Sequence, residues 1–283
     1  MIAVLGGLGA AVAWAISTLC SSRSSRMMSP LVVVALVMVV GLVITGPLAA
    51  AQGAPRFDAE SVTWLVISGA GNVGGLVLAY NALRIGQVAL VAPLVSTEGA
   101  ITATIALLAG ESLAPGVGLA LAIVAIGVSL SAVPESPETE RRLMQRQPAS
   151  VALAVSAALV FGTSLYATGR AGTTLPSTWV VLSARLIGTV ALAIPLVVTG
   201  RLLVARRALP LIVVSGICEV LGFYSYTAGA RHGIAVAAVL SSQFATIAAV
   251  AAYFLFGERL NRVQLAGVTS VIVGVALLSA LRA

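Results

Sequence analysis

The sequence predicts an all-α polytopic membrane protein with ten transmembrane helices, arranged as two five-helix repeats of inverted topology. Three observations predict it. Of the 283 residues, 59% are hydrophobic and 9% are charged, against roughly 25% charged in an ordinary soluble domain, so polar groups are too few to cover a water-facing surface. Apolar stretches near the length of about 20 residues that crosses a hydrocarbon core as a helix recur ten times. The second half of the chain repeats the first at a fixed offset of 147 residues. Helices are required because an open sheet would leave unpaired edge groups in lipid.

In order, the stretches are residues 2–20, 31–50, 61–80, 86–108, 115–133, 151–168, 177–199, 209–230, 234–256 and 263–281. The chain is apolar from its second residue, and its first bases, Arg23 and Arg26, follow the run. A secretory signal carries its positive charge ahead of the run, so this segment reads as a retained span. The breaks include Ser21–Pro30 with two Arg, Gln52–Glu60 with Gly53 and Pro55, and Gly110–Pro115. The longest polar stretch begins at Pro134 and holds Pro137, three Glu and three Arg. The expected organisation is therefore a first repeat over 1–133, a polar linker over 134–149 and a second repeat over 150–283.

The offset places Arg84-Ile85-Gly86 on Arg231-His232-Gly233, Gly110-Glu111-Ser112-Leu113 on Gly257-Glu258-Arg259-Leu260, and Gly127-Val128 on Gly274-Val275. Trp14, Ser17, Arg23 and Gly75 fall on Phe161, Ser164, Arg170 and Gly222. Only 10 of 49 positions are identical between 82–130 and 229–277, but the alignment needs no gap and superimposes the span boundaries. Five is an odd number, so the second half enters the membrane from the opposite face. Inverted repeats of this kind typify secondary transporters, whose sites lie near the midplane at the repeat interface.

Composition excludes other classes. The formal charge is +7 and every base is Arg, but the bases sit singly or in small groups between apolar runs, unlike the clustered footprint of a nucleic-acid binder. Cys20 and Cys218 lie far apart without metal-ligand spacing. One His and one Asp exclude an HExxH zinc site and a paired-aspartate protease. A GxSxG elbow is absent, and nothing places a Ser beside His232 as its base. The expectation is no enzyme, no metal and no cofactor.

The informative residues are those that should not be in a bilayer. Glu98 lies near the centre of the fourth span, Arg185 of the seventh and Glu219 of the eighth. A charge at that depth costs about 2.5–3.5 kcal/mol, so such residues face the bundle interior and pair there. The repeat sets Asn72 of the third span against Glu219, and Gln243 two positions from the counterpart of Glu98. These residues read as a midplane site for a substrate and a coupling cation. Burial disfavours a charged carboxylate and a nearby guanidinium favours it, so a Glu between the two can take up and release a proton. Arg185 neutralises only one of the two Glu; the remaining charge suits a proton, a cation or the ammonium of a zwitterion. The competing reading is a packing cluster, since interhelical polar contacts average only about 0.6 kcal/mol.

Trp14 is the aromatic best placed to line a cavity, with Phe161 and Tyr224 behind it. Tyr80 and Tyr226 lie near span ends and read equally well as interfacial anchors. Glu111 and Glu258 read as structural residues of their turns, His232 as an interface residue. Gly71 with Gly75 and Gly229 with Gly233 have the GxxxG spacing that allows close helix approach. Eleven Arg occupy the odd-numbered connections (Arg23, Arg26, Arg84, Arg141, Arg142, Arg146, Arg201, Arg206, Arg207, Arg259 and Arg262). The even-numbered connections and the C-terminus hold four: Arg56, Arg170, Arg231 and Arg282. The positive-inside rule then puts both termini outside.

With Gly110-Glu111-Ser112-Leu113 and Gly127 in one half, and Gly257-Glu258-Arg259-Leu260, Gly267 and Gly274 in the other, the whole chain resembles the EamA family of the drug/metabolite transporter superfamily. The resemblance implies a cavity-centred exporter or exchanger of small metabolites. Two features depart from it: members often carry a Pro about thirteen residues before the turn Glu, where this chain has Glu98 and Ala245, and members are usually drawn with both termini in the cytoplasm. The resulting expectation is a secondary active transporter of a small organic metabolite, amino-acid-like or otherwise zwitterionic, working by proton-coupled export with alternating access. A multidrug or cationic-compound exporter is the alternative, and a scaffold subunit without transport a more distant one. The expected site is Glu98, Glu219, Arg185, Asn72, Gln243 and Trp14. The expected partners are the small-molecule substrate, protons and the lipid bilayer, with no nucleic acid. A monomer suffices, a dimer is possible, and the setting is a bacterial cytoplasmic membrane.

Overall fold

The computed structural model describes residues 1–86, 88–131, 148–247, 251 and 262–281. The Gly257–Leu260 turn with Glu258, and nearly all of the expected linker, lie outside the described residues. All regular structure among the described residues is helical. The elements are α1 (Ile2–Met27), α2 (Pro30–Gln52), α3 (Ala59–Ile85), α4 (Val88–Ser96), α5 (Glu98–Leu108), α6 (Pro115–Ser131), α7 (Pro148–Thr174), α8 (Ser177–Gly188), a π-helical turn (Thr189–Ala193), α9 (Ile194–Val198), a 3-10 turn (Arg206–Ala208), α10 (Leu209–Ala230), α11 (Ile234–Ser241) and α12 (Arg262–Leu281). Among the described residues seven helical segments, with α4–α5 and α8–α9 each taken as one, are long and apolar enough to cross a membrane, and shorter apolar helices cover Gly116–Gly127, Ile234–Ile247 and Leu265–Leu277.

Local chemistry sets the helix ends. Pro30 opens α2 where its missing N–H costs nothing. Asp58 caps α3 by accepting from the Ser61 N–H at 2.8 Å, and hydrogen bonding from Ser61 holds the Asp58 carboxyl below its ordinary range. Two ends of the bundle follow from contacts. At end A the Trp179 indole donates to the Gly53 carbonyl at 3.0 Å, and the first turn of α1 packs on the last of α10. At end B, Arg26 donates to the Gly86 carbonyl at 3.1 Å and Ser150 to the Ala82 carbonyl at 3.3 Å.

Two expected boundaries are corrected. The first helix does not stop at residue 20 but runs to Met27, through the stretch expected to be a break. Ser21, Ser22, Ser24 and Ser25 are buried there, with Ser24 donating to the Cys20 carbonyl at 2.8 Å; small hydroxyl residues suit a tight helix interface. The expected span 86–108 is two helices meeting at Thr97. Pro93 cannot donate to the ladder, and the Ser96 and Thr97 hydroxyls take the Pro93 and Leu94 carbonyls at 2.7 and 2.8 Å. The related span breaks at Ser242-Gln243, where Ser241 and Ser242 bond the Ala238 and Val239 carbonyls.

The repeat is visible in the packing. The α1–α10 and α3–α7 seams are one seam with the halves exchanged. Trp14 packs on Gly222 as Phe161 packs on Gly75. Ser21 meets Ser215 at 2.7 Å as Thr168 meets Ser68 at 2.6 Å. Each pair maps onto the other under the 147-residue offset. The α6–α12 crossing is its own counterpart, with Gly127 against Val271 and Gly274 against Val124.

Helix backbones approach closely where α1 meets α10. A methyl group on Gly6 would stand 2.6 Å from the Gly229 backbone and the Ser225 carbonyl, neither of which can yield without moving a helix. Gly6→Ala should lower the unfolding free energy by about 1–3 kcal/mol, seen as an earlier thermal transition in detergent. Gly118→Ala, where nothing lies within 4 Å, should leave that transition unchanged.

Candidate functional site

A cavity enclosing about 580 Å³, its open side included, lies between α1, α3, α4, α5, α7 and α10. Trp14 and Thr18 come from α1, Asn72 and Tyr80 from α3, Glu98 from the start of α5, Phe161 from α7, and Glu219 and Phe223 from α10; Phe244 completes the aromatic lining. On α3 the lining continues from Asn72 through Leu76, Ala79 and Tyr80 to Leu83, so the cavity runs from mid-helix toward end B.

End A is closed by several independent contacts. The Tyr226 hydroxyl donates to the Leu165 carbonyl at 2.9 Å. Arg231 donates to the Gly172 and Leu175 carbonyls, at 2.7 Å each, tying the end of α10 to the end of α7. Gly110 takes a φ of 97°, a left-handed conformation that glycine adopts without strain. The turn it makes lets the Glu111 N–H reach the Ala106 carbonyl at 2.9 Å, while both Glu111 carboxylate oxygens accept from the Ala235 N–H, at 3.3 and 3.2 Å, in the first turn of α11. This explains the Gly-Glu pair of the turn: glycine reverses the chain and glutamate caps the next helix of the other half. At end B, Arg84, the counterpart of Arg231, is exposed.

Glu219 is 5% exposed and uses both oxygens. Oε1 accepts from Ser17 at 3.0 Å, and Oε2 lies 3.9 Å from Arg185 Nη2. The hydroxyls continue as a file: Ser17 meets Ser215 at 2.9 Å, Ser215 meets Ser21 at 2.7 Å, and Ser21 donates to the Tyr80 hydroxyl at 2.7 Å. Glu98, 4% exposed, is the first residue of α5, where the helix dipole favours a negative charge.

Trp14, Asn72, Glu98 and Glu219 thus line one cavity. Arg185 does not line it. The guanidinium is fully buried behind the wall, 5.2 Å over the ring of Phe223, with Nη1 3.4 Å from Met38 Sδ. Its Nε and Nη2 have no hydrogen-bond partner among the described residues, so the ion contact and the aromatic face carry its charge. Gln243 is also off the wall: it is buried, and Nε2 donates to the Val239 carbonyl of its own helix at 3.0 Å. Tyr80 and Tyr226 are not interfacial anchors, being 3% and 0% exposed with internal partners for their hydroxyls. The residues that sequence reasoning missed are Ser21, Ser215, Phe223 and Phe244, and it gave Ser17 no role. Trp14, Ser17 and Ser21 recur at helical spacing, a periodicity that places them on one face of α1.

The EamA-like transporter family matches the chain twice, over residues 1–133 and 149–280. The chain belongs to the EamA family. Its members are membrane transporters of the drug/metabolite transporter superfamily, so this EamA protein is an integral multi-pass membrane protein with two repeats of the family fold. No curated protein matches it by sequence. A solved structure described as "Crystal structure of protein" is similar with a TM-score of 0.76 over 99% of this chain and 98% of that one, at 18% identity. At that identity the likeness is one of fold.

Removing one partner of a buried ion pair strands the other charge, at a cost of about 3–5 kcal/mol. Arg185→Met should therefore destabilise the EamA protein by about that amount. Adding Glu219→Gln to it should restore part of the loss. Thermal unfolding of the two single variants and the double variant checks this; strictly additive losses would mean that the pair is not coupled.

Proposed function

We propose that this EamA protein is a proton-coupled secondary transporter that exports a small organic cation with an apolar or aromatic body. One observation carries the choice: the cavity presents two carboxylates and five aromatic rings (Trp14, Tyr80, Phe161, Phe223 and Phe244), while Arg185 stands behind the wall. Aromatic faces attract cations and carboxylates pair with an ammonium group. A zwitterion would need a donor for its own carboxylate, and the guanidinium that could serve is engaged with Glu219. Arg185 offsets one carboxylate, which leaves the other for a substrate cation or a proton. Competition between those two ligands is the coupling: the cation leaves when protons arrive from the opposite face.

In this reading the three shorter apolar helices complete ten spans in two inverted five-span halves, and transport proceeds by alternating access. The contacts closing end A and the exposure of Arg84 support a state open toward end B. The Arg excess on that side supports placing end B in the cytoplasm, where an exporter loads.

The test uses the full chain in vesicles under an imposed pH gradient, with proton movement followed as organic monocations or zwitterionic amino acids are added. Cation-dependent proton movement that disappears in Glu98→Gln or Glu219→Gln is the expected result. A response to amino acids alone would return the reading to zwitterion transport, and full flux in both variants would reduce the carboxylates to packing.

A further inference from the structure

We propose that Ser17, Ser215, Ser21 and Tyr80 form a hydroxyl relay through which Glu219 exchanges its proton with the end-B face while substrate fills the cavity. The proposal rests on the reading of Glu219 as a proton carrier and adds the route. Its basis is the bonding of three buried serines. Serine in a helix ordinarily bonds a carbonyl of its own preceding turn. Ser17, Ser21 and Ser215 instead bond one another and the two ends of the file. The matching seam of the other half provides the comparison. There Asn72 stands where Glu219 would be; Ser68 and Thr168 still meet at 2.6 Å, but Ser164, the counterpart of Ser17, donates to the Ser68 carbonyl, and Thr227, the counterpart of Tyr80, to the Phe223 carbonyl. The matching seam thus keeps one hydroxyl pair, and the file of four linked contacts occurs on the seam that holds the acid.

The proton count supports a conducting role. Four contacts join Glu219, Ser17, Ser215, Ser21 and Tyr80. With Ser17 donating to the carboxylate and Ser21 to the phenol, the Ser215 proton can serve only one neighbour, so one contact lacks a proton. A proton on Glu219 supplies it: the acid donates to Ser17, Ser17 to Ser215, Ser215 to Ser21 and Ser21 to Tyr80. In the transfer each hydroxyl oxygen gains one proton and loses one. Tyr80 releases its own proton toward end B and Glu219 is left as the carboxylate. Both central contacts can run in either direction, as a relay requires. The charged and titratable groups facing Glu219 are Arg185 from α8, Glu98 from α5 and Tyr80 from α3, with the thiol of Cys218 on α10.

The cavity itself offers water a parallel route, so the test blocks it. Leu76 lines the cavity one helical turn from both Asn72 and Tyr80, and Leu76→Trp would plug the space between the Glu219 level and the Tyr80 level. Ala79→Trp serves as a second plug. In a Glu98→Gln background in vesicles, a pH jump is applied and the protonated-carboxyl infrared band of Glu219 is followed, with Glu219→Gln identifying the band. The plugged protein should titrate Glu219 about as fast as the open one. Adding Ser215→Ala or Ser21→Ala should slow it roughly tenfold or more, whereas the same serine variants without a plug keep the rate. The plugged rate should also fall in D₂O, a readout that needs no serine variant. A plug that alone abolishes exchange, serine variants as fast as the plug alone, or a rate indifferent to D₂O would overturn the relay. Absence of any titrating Glu219 band would overturn the proton-coupled reading itself.

Discussion

Close approach of helix backbones is the constraint on which the rest of this structure depends. In lipid an apolar side chain gains little by exchanging acyl chains for another helix, so association relies on packing at small residues and on internal hydrogen bonds. Here the small residues sit at the crossings that matter. Gly6 and Gly229 bring α1 against α10, Gly222 receives Trp14, Gly75 receives Phe161, and Gly127 and Gly274 let α6 and α12 cross. The first of these seals end A. The second and third set two aromatic rings at matching places in the cavity wall. The same tight α1–α10 seam brings Ser17, Ser21 and Ser215 within bonding distance of one another, where an unpaired hydroxyl would be costly.

The pseudo-symmetry also explains the charge balance of the site. Under the 147-residue offset, Arg185 corresponds to Met38, and the two side chains touch at 3.4 Å. Arg185 packs over Gly41 and Met38 over Gly188, which are counterparts in turn. A residue in contact with its own counterpart lies at the symmetry axis. A second Arg there would bring two guanidinium groups together in low dielectric, which like-charge repulsion forbids. One buried cation is therefore what this crossing accommodates. The carboxylates have uncharged counterparts, Ala245 for Glu98 and Asn72 for Glu219, so neither faces a like charge from its own repeat position. Two acids thus stand against one base at this site.

This geometry also separates what was legible in the sequence from what was not. The repeat was legible, because Gly-Glu turns, glycines and the depth of polar residues recur at one offset. Depth placed Trp14, Asn72, Glu98 and Glu219 together, and the cavity lies where they meet. Azimuth was not legible. Helices apolar on every side carry no stripe to say which way a residue at a given depth faces, so Arg185 and Gln243, at the right depth, stand off the wall. The tyrosines failed for a related reason. Tyr80 and Tyr226 lie near span ends, as anchors do, but each phenol has a partner inside the bundle that single-sequence reasoning could not supply. The break at Thr97 was masked because Pro93 and the hydroxyls around it lie in an otherwise apolar run.

The two ends of the molecule differ in a way that an inverted repeat makes interpretable. Arg231 holds α10 to the end of α7 through the Gly172 and Leu175 carbonyls. The offset maps these acceptors onto Ser25 and Met28 at the end of α1, and the donor onto Arg84. In the present structure Arg84 is exposed and the cavity lining extends past Tyr80 to Leu83, one residue short of it. A latch at end B equivalent to that at end A would add Arg84 contacts to the Arg26–Gly86 bond already present there and draw the end of α3 further over the end of α1. Leu83 and Tyr80 would be carried across the cavity mouth by the same motion, because they belong to the last turns of α3. The phenol that ends the hydroxyl file thus sits on the element that such a latch would move. In the proposed relay, proton exchange through the file and closure of the cavity would both involve this helix end.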